Sequence, residues 1–196
     1  MKLQEKGTFE YLKRKKNQNL LIMLISFAVV FAVFFAGLAV FKSRNNYCTL
    51  IATVLVLPAA KFAVAYFVLL PHKSATQAQK EAVEAAAGAL TCCYDCVFSN
   101  SKSPIGTQAV VVTDNAVCAL TQEEKADKTL FETSLRDFLK NEKLAANVTL
   151  YTDEKTFLNR VRGLAANFDD TDKRSMDRME WITHAMKTPP QYLYRK

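Results

Sequence analysis

Two carboxylates and a lysine within one short stretch have the residue types of a metal-dependent nuclease. Asp114, Glu123 and Lys125 form a D…ExK pattern, in which paired carboxylates hold a divalent metal and the lysine lies beside it. The dipeptide Asp114-Asn115 is typical of a tight hairpin turn, which would leave Glu123 at the far end of the following strand, up to about 30 Å away. The pattern therefore does not predict a shared metal. A membrane-tethered hydrolase or nuclease-like domain is kept as an alternative function.

Four cysteines in the C-terminal part raise the question of a zinc site. Cys93 and Cys96 have the spacing of a zinc-ligand pair, but zinc needs four thiolate or imidazole ligands and no second pair follows. Alternation along a strand would place Cys92 and Cys96 on one face of the sheet and Cys93 on the other. The pattern favours buried, reduced thiols, Cys118 included, with neither a metal nor a cofactor.

Histidines and glycines indicate no other catalytic site. Only two histidines occur, His72 and His184, so a serine or cysteine triad would have to use His184, which follows Trp181 and Ile182 on what we expect to be a packed helix. The five glycines are scattered and form no phosphate-binding loop. No catalytic residue is predicted, and the sequence favours a protein that is not an enzyme.

The net charge of +7 is concentrated near the N-terminus. Residues 1–18 hold six basic and two acidic side chains, whereas residues 72–196 hold 17 of each sign. A nucleic-acid-binding domain needs excess Lys and Arg to neutralise phosphates, so no nucleic acid is expected as a partner. The basic run Lys13, Arg14, Lys15 and Lys16 instead predicts contact with an anionic lipid bilayer, at about 1 kcal/mol per residue.

Two apolar segments are long enough to cross a membrane. Residues 19–41 and 49–71 each provide about 20 residues with no more than one charge, which matches a hydrocarbon core of ~30 Å. The connection at 42–48 is so short that the two helices must form an antiparallel hairpin with an external turn. The basic residues before the first segment then place both termini in the cytosol, at a bacterial-type cytoplasmic membrane.

One charge interrupts the second apolar segment. Lys61 has no acidic residue nearby, and an ammonium near the middle of a bilayer costs about 2.5–3.5 kcal/mol unless it reaches water or finds a polar partner. Pro58 cannot donate a hydrogen bond to the carbonyl of Val54, which becomes an acceptor on the same helix face. We expect Lys61 either to snorkel toward water or to contact an acidic residue or polar cavity of another subunit or protein.

Small residues predict how the two apolar helices pair. Ala28, Ala32 and Ala36 recur at every fourth position of the first helix, and Ala59 and Ala63 do so on the second. Small side chains allow close approach of helix backbones in a membrane. We therefore expect these alanines to form the contact within the hairpin, and expect a protein partner or a second copy to bind the hairpin from outside.

The rest of the sequence, residues 72–196, predicts a small α/β (α+β) domain with the element order α-β-β-β-α-β-α-α. Residues 72–91 are rich in alanine and would form a helical stalk or the first helix of the domain, ending near Gly88. The domain proper, 92–196, contains three β-type runs, an amphipathic helix, a fourth strand and two further helices. Their predicted ranges are, in order, 92–99, 108–114, 116–121, 127–142, 147–152, a helix capped by Thr152, and 172–187.

Periodicity also predicts which side chains of the domain helices face the core. The inward residues should be Phe131, Leu135, Phe138 and Leu139 on the first amphipathic helix, Phe157, Val161 and Leu164 on the next, and Met176, Met179, Ile182 and Met186 on the last.

These observations favour a membrane-anchored cytosolic module for protein interaction or regulation. Trp181 on the last helix and Tyr192 and Tyr194 in the tail are the aromatic types that interfaces favour. Besides the hydrolase or nuclease, a second alternative is a small accessory subunit of a membrane transport or secretion complex, in which Lys61 is the working residue. The sequence shows no resemblance to a known family that would decide between them.

Overall fold

The computed structural model describes residues 6–41, 47–99, 104–123, 126–168 and 173–187. These residues form two compact units, one over 13–71 and one made of the residues up to Leu12 together with those from His72 onward. The prediction of two long apolar helices followed by a mixed α/β region with a four-stranded sheet is confirmed. The elements are α1 (Tyr11–Phe41), α2 (Tyr47–Leu69), α3 (Gln77–Ala87), β1 (Thr91–Ser99), β2 (Pro104–Val112), β3 (Ala116–Leu120), α4 (Lys128–Asn141), β4 (Asn147–Tyr151), α5 (Glu154–Ala166) and α6 (Lys173–Lys187).

Helices α1 and α2 form an antiparallel pair. The side chain of Lys16, near the start of α1, donates a hydrogen bond of 3.1 Å to the carbonyl of Leu70, just after the end of α2. A cation is favourable there because the last carbonyls of a helix have no intrahelical partner and carry negative charge. The connecting residues 42–46 lie outside the described part of the chain.

The contact between α1 and α2 does not use the predicted stripe of small residues on α1. Ala28, Ala32 and Ala36 are exposed, so that prediction is wrong. The buried residues are instead Asn19, Val30 and Gly37 on α1, and Ala52 and Ala59 on α2. Since α1 is apolar on every side, its composition could not show which face meets α2. On α2 the predicted Ala59 is fully buried and Ala63 is half-buried.

The second unit is built around a sheet of order β1-β2-β3-β4. Strands β1, β2 and β3 are antiparallel neighbours, and β4 lies parallel to β3 with α4 as the crossover helix. The predicted hairpin at Asp114-Asn115 is confirmed, since the amide of Thr113 donates to the carbonyl of Ala116 at 2.8 Å. The second strand begins four residues before the prediction, at Pro104.

Helices cover both faces of the sheet. Helices α4 and α6 bury one face, where Phe131, Leu135 and Ile182 pack against the strands. Helices α3 and α5 bury the other, with Val83 and Phe157 at the contact. Helix α3 is therefore a packed helix of the domain, the second of the two expected roles for residues 72–91.

The outer edge of β4 is covered by side chains of α4. The amide of Leu150 donates to Glu132 Oε1 at 2.9 Å, and Arg136 Nη2 donates to the carbonyl of Val148 at 3.5 Å. These contacts occupy backbone groups that would otherwise be open to pairing with another strand.

The inward faces of the helices follow the predictions with one exception. All four predicted residues of α4 are buried, as are Phe157 and Val161 of α5 and Met179 and Ile182 of α6. Leu164 and Met186 are partly buried. The prediction that Met176 faces the core is wrong, because its side chain is 47% exposed. The cap of α5 is Asp153 and not Thr152, since the Asp153 carboxylate accepts from the amide of Thr156 at 2.8 Å.

Candidate functional site

A buried polar group lies where the chain leaves α2 and enters the domain. His72 is 3% exposed, and its Nδ1 lies 2.6 Å from Oε1 of Glu123, which follows β3. The same carboxylate oxygen accepts a hydrogen bond of 3.0 Å from the amide of Gly106 in β2. These residues are held together from three separate parts of the sequence.

Gly106 is required by the close approach of its neighbours. A Cβ at this position would lie 2.7 Å from Glu123 Oε1 and 2.9 Å from both Cβ and Nδ1 of His72. Any side chain would have to displace the ring of His72 or the carboxylate. Glycine here therefore allows the pair to pack against β2.

Gln108 continues this polar group along β2. Its side chain is fully buried, donating at 3.1 Å to the carbonyl of Lys73 and accepting at 2.8 Å from the amide of Gln122. A buried side-chain amide is stable only when its polar atoms are bonded in this way. Gln108 thus joins the segment after α2 to the segment after β3.

Asp95 holds both chain segments that connect the domain with the two apolar helices. Its carboxylate accepts from the amides of Leu12 at 3.4 Å and Ala75 at 2.8 Å, and from the hydroxyl of Ser74. Asp95 is 2% exposed and has a φ of 53°, in the left-handed region that Asp tolerates better than most residues. The amide of its neighbour Tyr94 donates to the carbonyl of Gly7 at 2.8 Å.

We name His72, Asp95, Gly106, Gln108 and Glu123 the attachment cluster. Glu123 is bonded to His72 and to the amide of Gly106. Gln108 is bonded to backbone groups, and Asp95 is bonded to backbone amides and the hydroxyl of Ser74. This arrangement orders the segments around Leu12 and Ala75 within the domain, which is a structural role. Sequence reasoning missed the cluster because its members are up to 51 residues apart in the chain.

The structure does not bring the nuclease pattern together. Asp114 lies in the hairpin turn, where its carbonyl accepts from Arg178 Nε at 2.6 Å. Glu123 lies beyond the other end of β3 and contacts His72. Lys125 lies outside the described residues. Among the described residues there is no group of three or more His, Cys, Asp or Glu side chains that could hold a metal ion.

The four domain cysteines occupy both faces of the sheet. Cys92 and Cys118 pack with the core under α3 and α5, whereas Cys93 and Cys96 pack with the core under α4 and α6. The expected placement of Cys92 with Cys96 is wrong, because the strand changes sides at the left-handed Asp95. All four are reduced thiols, and burial raises the pKa of Cys92 and of Cys118 to about 11.

An open groove lies between the C-terminal end of α4 and helix α6. It has a volume of about 520 Å³ and is lined by Phe138, Glu142, Lys143, Leu144, Trp181, His184 and Ala185. Trp181 is 64% exposed and His184 is also exposed, which corrects the expectation that His184 lies on a packed face. The predicted Tyr192 and Tyr194 lie outside the described residues. We name this feature the Trp181 groove.

The predicted intramembrane residues lie on the outer face of α2. Pro58 lies inside the helix, and both Pro58 and Lys61 are exposed. In the basic run, Lys13 and Arg14 are exposed, while Lys15 and Lys16 are half-buried. Lys16 contacts the carbonyl of Leu70, so part of the expected lipid-facing charge stabilises the helix pair.

Comparison of the chain with protein-family models, with curated proteins and with solved structures gives no match.

Proposed function

We propose that this protein is a membrane-anchored cytosolic interaction module. In this proposal α1 and α2 cross the cytoplasmic membrane as a hairpin, and the α/β domain binds a protein partner on the cytosolic side. The observation that carries it is the exposure of the apolar helices. In each helix, only 11% of the most apolar 18-residue stretch is buried. A core helix of a soluble protein would be mostly buried.

The charge distribution supports the orientation. The basic residues that precede the apolar part of α1 favour the cytosolic face of the membrane, and the balanced charge of the domain is compatible with a cytosolic location. Leu12 near the start of α1 and Ala75 after α2 are both bonded to Asp95 within the domain.

The Trp181 groove is the proposed binding site. It combines an exposed indole with apolar side chains and a few charged ones, which is the composition of a protein-interaction surface. Exposed tryptophans contribute more than most residues to binding energy when a partner covers them.

The membrane arrangement is tested by labelling intact cells with a membrane-impermeant maleimide. In a Cys48→Ser background, we expect a cysteine at Asn45→Cys to be labelled and one at Lys143→Cys to be labelled only after the cells are opened. Labelling of Lys143→Cys in intact cells would contradict the cytosolic location. Release of the chain by alkaline carbonate would contradict membrane insertion.

The binding site is tested by substituting Trp181 in the full chain. After gentle solubilisation, the protein that co-purifies with the wild type should be lost with Trp181→Ala and retained with Met176→Ala. Met176 is a matched control because it is exposed on the same helix and does not line the groove. Retention of the partner by Trp181→Ala would contradict the assignment of the groove, and a chain that purifies alone would contradict the interaction function.

The alternative function of an accessory subunit in a larger membrane complex has one observation in its favour. Lys61 lies on the exposed side of α2, away from the buried Ala59. A charge in that position is expensive in a bilayer unless another protein covers it.

A further inference from the structure

The outer face of α2 carries a regular stripe of exposed residues. Its members recur at alternating intervals of four and three, the pattern of a helix-packing surface: Leu50, Val54, Leu57, Lys61, Val64 and Val68. Leu57 is 71% and Val64 61% exposed, so the side chains on both sides of Lys61 are open. The stripe lies opposite the face that packs on α1, where Ala52 and Ala59 are buried.

Lys61 is poorly placed to reach water by itself. Lys61 lies 12 residues after the first residue of the apolar segment Thr49–Leu69 and eight residues before its last residue. At 1.5 Å per residue, these separations are about 18 Å and 12 Å along the helix axis. Helical side chains incline toward the N-terminus of their helix, so this ammonium inclines toward the more distant end. A four-carbon side chain is too short for that distance.

The chain itself provides no counter-charge for Lys61 within the membrane. No Asp or Glu occurs between Glu10 and Glu81. A second copy inserted in the same orientation would place its own Lys61 at the same depth, so two copies meeting through this stripe would oppose like charges. Charge complementarity therefore excludes a second copy and selects a different protein.

On the basis of the membrane insertion proposed above, we infer that the stripe binds an apolar helix of another membrane protein that carries an Asp or Glu near the middle of the bilayer. The acidic side chain pairs with Lys61, while Leu57 and Val64 pack on either side. The carbonyl of Val54, which has no donor because residue 58 is proline, is a second polar contact on the same face. Intramembrane charges are paired in this manner with groups of other helices.

The inference is tested with two differently tagged copies of the full chain, one wild type and one carrying Lys61→Glu. In membranes that contain both, Lys61→Glu provides the missing acidic helix at the correct depth. We expect this pair to co-purify in mild detergent about tenfold more than two wild-type copies, as follows from the strength of polar contacts between membrane helices. The pair of wild type with Lys61→Gln loses the like-charge repulsion but gains no opposite charge, so it should co-purify less than the pair of wild type with Lys61→Glu.

Two results would overturn the inference. If two wild-type copies associate as well as the mixed pair, the stripe is an interface between identical copies. If the mixed pair does not associate at all, the stripe does not accept an acidic helix. Carbonate extraction of each variant is done in parallel, because loss of the wild type from the membrane would refute the proposed function itself.

The native partner is then examined by photo-crosslinking from position 64, in place of Val64, in wild-type and Lys61→Leu backgrounds. The expected crosslink joins position 64 to an apolar helix containing Asp or Glu, is lost with Lys61→Leu and is retained with Lys61→Arg. A crosslinked helix without an acidic residue would contradict the proposed partner chemistry.

Discussion

The attachment cluster and the Trp181 groove belong to the same domain and are organised in opposite ways. In the attachment cluster, His72, Asp95 and Gln108 are almost completely buried; Asp95 and Gln108 are bonded to backbone groups, and His72 is bonded to the carboxylate of Glu123. In the groove, Trp181 and His184 are exposed to solvent. The difference indicates that the polar side chains of the attachment cluster stabilise the fold of the domain, whereas the side chains of the groove are open to solvent. Substitutions should therefore affect folding at the first site and binding at the second.

The largest effect on stability is expected for Asp95→Ala. The substitution leaves the buried amides of Leu12 and Ala75 without their acceptor, at a cost of about 3 kcal/mol in the free energy of unfolding. Urea unfolding of the detergent-solubilised full chain, followed by circular dichroism, measures this loss. Asp95→Asn keeps an acceptor oxygen and should lose about 1 kcal/mol. If Asp95→Gly is as stable as the wild type, strain at the positive φ outweighs the hydrogen bonds, and the proposed role of the carboxylate is wrong.

A pair of glycine substitutions tests the close packing of the attachment cluster. Gly106→Ala should lower the free energy of unfolding by about 1–3 kcal/mol, because its Cβ would lie within 3 Å of His72 and Glu123. Gly163→Ala in α5 is the matched control, since a Cβ there meets no atom within 4 Å. It should raise stability by about 0.5–1 kcal/mol. Equal effects at the two positions would show that the packing around Gly106 is not constrained.

The buried thiols predict a loss of stability at alkaline pH. Burial raises the pKa of Cys92 and of Cys118 from 9.0 to about 11, so the folded chain keeps protons that the unfolded chain releases in this range. The stability that comes from the protonated thiols is complete below pH 9 and should decline between pH 9 and 11. Unfolding in urea at a series of pH values measures the decline. A double variant Cys92→Ala, Cys118→Ala should show a smaller decline, and an unchanged decline would assign it to other groups.

The smallest effect on stability is expected for Trp181→Ala. Because the indole is 64% exposed, its removal should change the free energy of unfolding by no more than about 0.5 kcal/mol. This result, together with loss of the co-purifying protein, would separate binding from folding. A large loss of stability would show that Trp181 belongs to the core and would remove the contrast with the attachment cluster.

The helices of the domain were predictable because each has one apolar and one polar face. Phe131, Leu135 and Val161 follow this periodicity and are buried as expected. In α1 and α2 every face is apolar, so the sequence could not show that Val30 is buried and Ala28 exposed. Strand alternation failed for Cys96 because the left-handed conformation of Asp95 reverses the sides of β1.

The two candidate sites depend on contacts between distant segments. His72 and Glu123 are 51 residues apart, and neither has a neighbouring pattern that predicts the pair. The Trp181 groove combines the end of α4 with α6, and only Trp181 is a predicted interaction residue, on the basis of its type. Lys61 could be identified from the sequence as a candidate functional residue, because a charged side chain is rare within an apolar segment long enough to cross a membrane.

Because Glu132 and Arg136 contact the amide of Leu150 and the carbonyl of Val148 on the outward side of β4, strand pairing between neighbouring copies along that edge is disfavoured. Anchoring to a bilayer would confine the molecules to two dimensions and raise their local concentration, conditions that promote aggregation between open sheet edges. Protection of the β4 edge by these side chains would allow the protein to accumulate in a membrane without strand pairing between domains at that edge.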